Sequence, residues 1–169
     1  LYASVGHGGA SGYLALMALF SVAPEVMKPT ALLLNLFVSL TAFIQFYRGK
    51  HFVWKVFLPL ALASVPMAFV GGLITIDAIL YKKILGLLLL FSVVRLLIPS
   101  KNNIADLQPS HFYGALLMGG VIGLLSGMIG IGGGILLSPL LLFFKWTDQK
   151  QTAAISALFI FVNSASGLM

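Results

Sequence analysis

The sequence predicts an all-α protein that crosses a membrane several times, with two duplicated, inverted halves and paired glycine-broken, re-entrant helices. Hydrophobic residues make up 60% of the 169 residues and charged residues only 8%. Soluble domains carry about 25% charged residues, whereas a membrane-spanning helix needs about 20 apolar residues in succession. Apolar stretches of that length recur along the chain, and two glycine-rich stretches interrupt them at corresponding positions.

The apolar stretches predict seven helical segments in succession. They are 13–20, 29–47, 56–76, 84–98, 112–129, 135–144 and 152–169. Pro29 suits the first turn of its helix, where a backbone N–H is not needed. Arg48, Lys50 and Lys55 cluster in the connection after the second segment. The positive-inside rule places this connection in the cytoplasm.

Charge and residue usage exclude several classes of function. The net charge of +6 comes from basic residues in short connections, which is the membrane pattern and not a nucleic-acid signal. The chain has no cysteine, and His7, His51 and His111 are too far apart to suggest a metal site. We therefore expect no metal and no cofactor. All four acidic residues lie in connections, which argues against an intramembrane acid relay.

The stretch from Gly130 to Gly134 is the centre of the predicted organisation. No charged residue lies between Phe112 and Phe144, so these glycines predict a helix break inside the bilayer. Freed backbone groups at that depth must face protein or a watery cavity. A helix that begins after the break directs its N–H groups and positive dipole end there, which favours a bound anion.

An internal repeat relates the two ends of the chain. Gly6–Gly9 align with Gly130–Gly133 at an offset of 124, and Thr30–Leu32 align with Ser156–Leu158 at an offset of 126. We assign 1–98 to a first repeat, 99–110 to a linker and 111–169 to a second repeat. The first repeat is expected to lack most of one helix at its start, and the second to lack two or more at its end. Duplicated halves with paired broken helices are typical of transporters.

The relative orientation of the halves depends on the short segment after the second break. Segment 135–144 reaches only about half way across a bilayer at ~1.5 Å per residue. A re-entrant hairpin would return Lys145 and Lys150 to the side of the linker and invert the repeats. A full crossing would leave the halves parallel. Basic residues in both connections favour the inverted arrangement.

Backbone N–H groups at two breaks, with nearby hydroxyl and amide groups, could replace the water around a compact oxyanion. The candidate binding residues are Gly6, His7, Gly8, Gly9, Ser11, Thr30, Gly130, Gly132, Gly133, Gly134, Ser156 and Asn163. His7 has two open interpretations, binding of an anion or proton and a hydrogen bond to a neighbour. A Ser11–His7 catalytic pair is disfavoured because no third group orients it.

Other polar or small residues in the spans favour a structural role. Asn35, Ser39 and Gln45 are expected to form interhelical hydrogen bonds rather than to bind substrate. The doubled G-x-x-x-G of segment 112–129 favours close helix packing over lining a polar path. Arg95 is expected to reach the membrane interface from a helix end.

Three motifs resemble a known family of bacterial membrane transporters. They are Gly-Met-Ile-Gly-Ile-Gly-Gly-Gly at 127–134 with Pro-Leu at 139–140, Ala-Ala-Ile-Ser-Ala-Leu at 153–158, and Asn-Ser at 163–164. The chain closely resembles the TauE/SafE (sulfite exporter, TSUP) family over its whole length, with the first half as a diverged repeat. The resemblance implies transport of sulfite, thiosulfate or organosulfonates such as sulfoacetate by alternating access, and not an enzyme.

The first half departs from the family pattern at several positions. His7 and Ala10 replace an apolar residue and a glycine, Ala15 matches Pro139, and Phe37 matches Asn163. These departures leave the substrate open, and another small anion or an organic acid is the alternative within transport. An intramembrane enzyme would need a convergent catalytic or metal set, and a structural subunit would not need paired broken helices.

The resemblance also implies the partners and the location. A small anion and the lipid bilayer are the expected partners, without nucleic acid, and a homo-oligomer is left open. The expected location is the bacterial cytoplasmic membrane, as a multi-pass protein.

Overall fold

The computed structural model describes residues 9–74, 77–97, 107–109 and 111–169. Within these ranges the chain forms seven α-helices and no strand. The helices are α1 (Ala10–Leu19), α2 (Pro24–Arg48), α3 (Trp54–Leu73), α4 (Ala78–Leu97), α5 (Phe112–Ile129), α6 (Gly134–Phe143) and α7 (Gln149–Leu168). Four stretches in this part of the chain are long and apolar enough to cross a membrane: Glu25–Arg48, Trp54–Leu73, Phe112–Ile129 and Gln149–Leu168. The predicted all-α, multi-pass architecture is confirmed.

Several helices begin earlier than the apolar stretches predict, α2 and α4 by the most. Helix α2 begins at Pro24, which occupies the first turn. The role assigned to Pro29 is therefore wrong, since it lies inside the helix. Helix α4 begins at Ala78, where the Asp77 carboxylate accepts a hydrogen bond of 3.0 Å from the Ile79 N–H. Hydropathy detects only the part of a helix inside the hydrocarbon, and polar first turns in the interface escape it.

Helix α7 also begins early, because a capping box defines its start. The Asp148 carboxylate accepts from the Gln151 N–H at 2.7 Å, and the Gln151 side chain accepts from the Asp148 N–H at 3.2 Å. Such a reciprocal pair satisfies two donors that the helix itself cannot. The helix therefore starts at Gln149 and not at Thr152.

The G-x-x-x-G stripe of α5 packs directly on the backbone of α3. A Cβ atom at Gly119, Gly123 or Gly127 would lie 2.1–2.3 Å from a carbonyl oxygen of α3. The oxygens belong, in that order, to Leu60, Ser64 and Ala68. The residue numbers increase together along α5 and α3, so the two helices run in the same direction. This contact supports the packing interpretation of the stripe.

Helices α5 and α6 form a hairpin that returns to the side where α5 begins. The Lys145 carbonyl, just after α6, accepts a 2.8 Å hydrogen bond from the Gln108 N–H, just before α5. The Trp146 ring lies 3.8 Å from the position that a Cβ atom would take at Gly114, in the first turn of α5. With ten residues, α6 spans about 15 Å, half of the hydrocarbon core. This is the geometry that a re-entrant segment requires.

Helices α2 and α7 pack side by side and run in opposite directions. Leu32 of α2 lies 3.5 Å from the Cβ position of Gly167 near the end of α7. One turn further along α2, Asn35 lies beside Gly132 together with Ser164, one turn earlier in α7. An inverted repeat requires this antiparallel pairing of the two corresponding helices. The duplication itself and the division at 98 and 110 stay predictions.

Candidate functional site

The chain between α5 and α6 leaves the helical path through a run of left-handed glycines. Gly130, Gly132 and Gly133 have φ angles of 83°, 78° and 80°. Gly130 closes α5 by donating its N–H to the Ser126 carbonyl at 2.8 Å, and Gly133 is the N-cap of α6. Residues with a Cβ atom rarely adopt this conformation. The predicted break is therefore present where the glycines lie.

The glycines also admit neighbours that a side chain would displace. A Cβ atom at Gly132 would lie 2.8 Å from Ile160 Cγ2, 2.9 Å from Asn35 Nδ2 and 3.0 Å from Ser164 Oγ. A Cβ atom at Gly133 would lie 2.8 Å from the Phe159 ring. Helices α2 and α7 thus close directly around the break. Every residue from 130 to 139 is buried.

Two side chains from other helices donate hydrogen bonds to carbonyl oxygens next to the break. The Tyr81 hydroxyl of α4 donates to the Ile129 carbonyl at 2.9 Å. The Asn35 amide of α2 donates to the Ile131 carbonyl at 3.1 Å, and its oxygen accepts from the Tyr13 hydroxyl of α1. A free carbonyl oxygen would repel an anion, and both of these oxygens are engaged by donors. The bridge through Asn35 also links α1, in the first half, to the break in the second.

Unlike these carbonyl oxygens, the N–H groups at the start of α6 have no backbone partner in the described part of the chain. Within the described residues, the N–H groups of Gly132, Gly133, Gly134 and Ile135 donate to no backbone carbonyl. The first N–H groups of any helix lack an internal partner and carry the positive end of the helix dipole. Here they are buried at the level of the break, so the local potential favours a negative ligand.

Polar side chains of α6 and α7 lie near these N–H groups. The Ser138 hydroxyl donates to the Gly134 carbonyl at 2.9 Å and lies 2.9 Å from Ser156 Oγ. The Asn163 amide donates to the Phe159 carbonyl at 2.9 Å. Asn163 Oδ1 and Ser164 Oγ are fully buried and have no hydrogen-bond partner in the described part of the chain. Buried polar atoms normally have partners, so these two are available to water or a bound molecule.

Six of the predicted site residues lie at or near this break. They are Gly130, Gly132, Gly133, Gly134, Ser156 and Asn163. Gly9 lies at the corresponding place in the first half, as the N-cap of α1 with a φ of 86°. Thr30 is half-buried in α2, before Asn35. Gly6, His7 and Gly8 lie outside the described residues, as does the side chain of Ser11.

Sequence reasoning missed Tyr13, Tyr81 and Ser138 as neighbours of the break. The interhelical hydrogen bond predicted for Asn35 is present, since its side-chain oxygen accepts from the Tyr13 hydroxyl of α1. Ser39, given the same role, is buried without a partner among the described residues, and Gln45 is exposed. A tyrosine in an apolar helix was the available signal for Tyr13 and Tyr81, because a buried hydroxyl needs a partner.

The two short helices share their local geometry at a constant offset. Each is ten residues long and follows a left-handed glycine, Gly9 for α1 and Gly133 for α6. Two residues after each helix ends, a non-glycine residue has a positive φ, 56° at Ser21 and 54° at Lys145. The positions in each pair differ by 124, the offset at which the glycine motifs align.

The remaining part of the chain that the structure describes offers no competing metal chemistry. No group of three or more His, Cys, Asp or Glu side chains in these residues could hold a metal ion. The candidate site at the break consists of backbone N–H groups, hydroxyls and amides.

Comparison with known proteins assigns the chain to a family. It matches the family model described as "Sulfite exporter TauE/SafE" over residues 1–169. It is 38% identical, over 172 residues, to the "Probable membrane transporter protein y4hK" of Sinorhizobium fredii, an alignment that covers 99% of this chain and 70% of that protein. It is 26% identical, over 143 residues, to the "Probable membrane transporter protein MJ0441" of Methanocaldococcus jannaschii, covering 83% of this chain and 53% of that protein. No solved structure matches. The chain belongs to the TauE/SafE family of membrane transporters.

Proposed function

We propose that the protein moves small sulfur-containing anions across the cell membrane by alternating access. Sulfite, thiosulfate and organosulfonates such as sulfoacetate are the proposed substrates, held at the glycine breaks. The description of the family as sulfite exporters supports this substrate class. Both relatives are described only as probable membrane transporters.

The row of N–H groups from Gly132 to Ile135 is the observation that carries the proposal. These groups donate to no backbone carbonyl of the described residues, while the carbonyls of Ile129 and Ile131 are engaged by Tyr81 and Asn35. The break thus offers backbone donors, while two of the carbonyl oxygens beside it already accept hydrogen bonds. A sulfonate or sulfite accepts several hydrogen bonds through its oxygens, and charge-assisted bonds of this kind are strong.

We propose that Gly6–Gly9 supply a second row of donors in the first half, with His7 and Ser11 beside it. The shared geometry of α1 and α6 supports this, since Gly9 precedes α1 as Gly133 precedes α6. The antiparallel α2 and α7 support an inverted relation between the halves. Alternating access would then be a movement of one half against the other around an anion held between both breaks.

Anion binding to the purified full-length protein tests the proposal by thermal shift in detergent. Sulfite, thiosulfate, sulfoacetate, taurine and chloride are compared on the wild type, Gly132→Ala and Gly86→Ala. Alanine at 132 would place a Cβ 2.9 Å from Asn35 Nδ2, at a positive φ, whereas nothing lies within 4 Å of the Cβ position of Gly86. Both variants remove one glycine, and only the first alters the proposed site.

We expect a sulfur oxyanion to raise the melting temperature of the wild type and of Gly86→Ala, with little effect on Gly132→Ala. Stabilisation by chloride alone would point to a different anion. Equal stabilisation of all three proteins by sulfite would place the bound anion somewhere other than the break and would refute the proposed site.

A further inference from the structure

Lys28 brings a positive charge to the glycine break from the first turns of α2. Its side chain is half-buried, and its ammonium donates a 2.7 Å hydrogen bond to the Gly72 carbonyl near the end of α3. A Cβ atom at Gly130 would lie 3.0 Å from the Lys28 carbonyl oxygen and 3.2 Å from its Cγ. The lysine therefore packs on the first residue of the break.

Among the described residues, the Lys28 ammonium has the neutral carbonyl of Gly72 as its partner. An ammonium group has three donors. Ionisable residues within membrane spans are costly and mark functional sites by default. The remaining donors and the net charge suit an anionic ligand.

Lys28 lies on the face of α2 that leads to the proposed site. Lys28, Leu32 and Asn35 follow one another at spacings of four and three residues, which places them on one side of the helix. Lys28 is ~10 Å along the axis from Asn35 at ~1.5 Å per residue. Leu32, 1% exposed, lies between them against Gly167. Leu32 thus forms a single apolar layer between Lys28 and Asn35.

The basic connections lie at the opposite end of α2. Arg48 ends the helix, with Lys50 and Lys55 close behind it in the chain. Lys145 and Lys150 lie on that same side, because the α5–α6 hairpin returns there. The positive-inside rule assigns this side to the cytoplasm. Lys28 then faces the extracytoplasmic side.

We propose that Lys28 is an outer anion-binding residue, which holds the substrate anion at the extracytoplasmic end of α2, one apolar layer from Asn35. This inference rests on the proposed function and adds a second binding site to the path of the anion. A compact oxyanion would accept charge-assisted hydrogen bonds from the ammonium while the Gly72 contact persists. Passage of the anion between the two binding sites requires Leu32 and Gly167 to separate.

Lys28 also caps a carbonyl of the last turn of α3, and this purely structural role must be separated from anion binding. Lysine near a helix C-terminus commonly bonds the last carbonyls. Lys28→Gln keeps a hydrogen-bond donor and removes the charge, whereas Lys28→Arg keeps both. Lys83→Gln removes an exposed lysine near the start of α4, on the same side of the membrane. If Lys28 only caps α3, Lys28→Gln should transport as the wild type does. If Lys28 binds the anion, only Lys28→Arg should do so.

The test measures transport of sulfite, presented on the extracytoplasmic side of proteoliposomes, for the wild type and these three variants. We expect Lys28→Gln to raise KM about tenfold, equivalent to about 1.4 kcal/mol, with Lys28→Arg and Lys83→Gln close to the wild type. Added salt should raise the KM of the wild type more than that of Lys28→Gln, since it screens an exposed charge.

An unchanged KM in Lys28→Gln would overturn the inference, as would a loss of thermal stability in that variant without a change in KM. If Gly132→Ala loses transport while Lys28→Gln keeps the wild-type KM, only the outer site is wrong. If the wild type carries none of sulfite, thiosulfate and sulfoacetate, the proposed function and the outer site both fail.

Discussion

Replacing Gly119 with alanine should destabilise the protein, because the new methyl group would collide with the backbone of α3. Its Cβ would lie 2.3 Å from the Leu60 carbonyl oxygen, and also 2.9 Å from the Leu60 Cα. Ordinary contact begins at 3.4 Å, so the helices must separate locally by about 1 Å. Backbone atoms cannot rotate away as a side chain can.

Gly120→Ala is the matched control on the adjacent residue. Its Cβ would meet only Ala63 Cβ and Met67 Cγ, both at 3.8 Å, which is ordinary contact. Both substitutions add the same methyl group to the same helix, and alanine has the higher helix propensity in each case. The difference between the two variants therefore isolates the contact between α3 and α5.

Overpacking of a well-packed core costs about 1–3 kcal/mol. At roughly 2–4 °C per kcal/mol for a chain of this size, Gly119→Ala should lower the melting temperature by about 2–12 °C relative to Gly120→Ala. Thermal unfolding in a mild detergent, followed by intrinsic tryptophan fluorescence, provides the measurement. Equal melting temperatures would refute the close parallel packing of α5 on α3.

Three further substitutions test individual contacts around the break. Tyr81→Phe removes the 2.9 Å hydrogen bond to the Ile129 carbonyl and should lower the free energy of unfolding by about 1–3 kcal/mol, because a buried acceptor is left unpaired. Tyr113→Phe changes a side chain that is 84% exposed and should leave the free energy of unfolding unchanged in the same assay. Equal effects of the two variants would argue against the Tyr81 hydrogen bond. Asn35→Leu preserves size but removes the donor to the Ile131 carbonyl, and should weaken sulfite binding in thermal-shift titrations; unchanged binding would separate Asn35 from the site. Asp148→Ala removes the cap of α7 and should lower the free energy of unfolding by about 1 kcal/mol. Asp148→Asn retains a side-chain acceptor and should have a melting temperature close to that of the wild type. Equal losses of stability in the two variants would exclude a capping role.

The sequence predicts the break well because its cause is local. A glycine run between two apolar stretches has few alternatives inside a bilayer, and the left-handed Gly132 and Gly133 follow from it. The helix starts are harder, since Glu25, Lys82 and Gln149 belong to helices but resemble connections in a hydropathy profile. Pairing along α2 and α7 depends on contacts between residues more than 120 positions apart, which one sequence does not reveal.

The donor pattern of the site lies beyond sequence reasoning for a similar reason. Backbone N–H groups at Gly132 and Gly133 could be expected from the break itself. That the Ile129 and Ile131 carbonyls are engaged by Tyr81 and Asn35 depends on tertiary packing. Lys28 lies just before the apolar stretch 29–47, so hydropathy does not place it near the site, whereas its contact with Gly130 does.

Substrate-driven transport by the reconstituted protein tests the central claim most directly. A rapid sulfite gradient is applied to proteoliposomes that contain the wild type, Gly132→Ala or Gly86→Ala, and sulfite entry is followed over time. We expect saturable entry for the wild type and Gly86→Ala, and entry at the level of protein-free liposomes for Gly132→Ala. Wild-type entry no faster than in protein-free liposomes would refute sulfite transport, and full transport by Gly132→Ala would refute the site at the break.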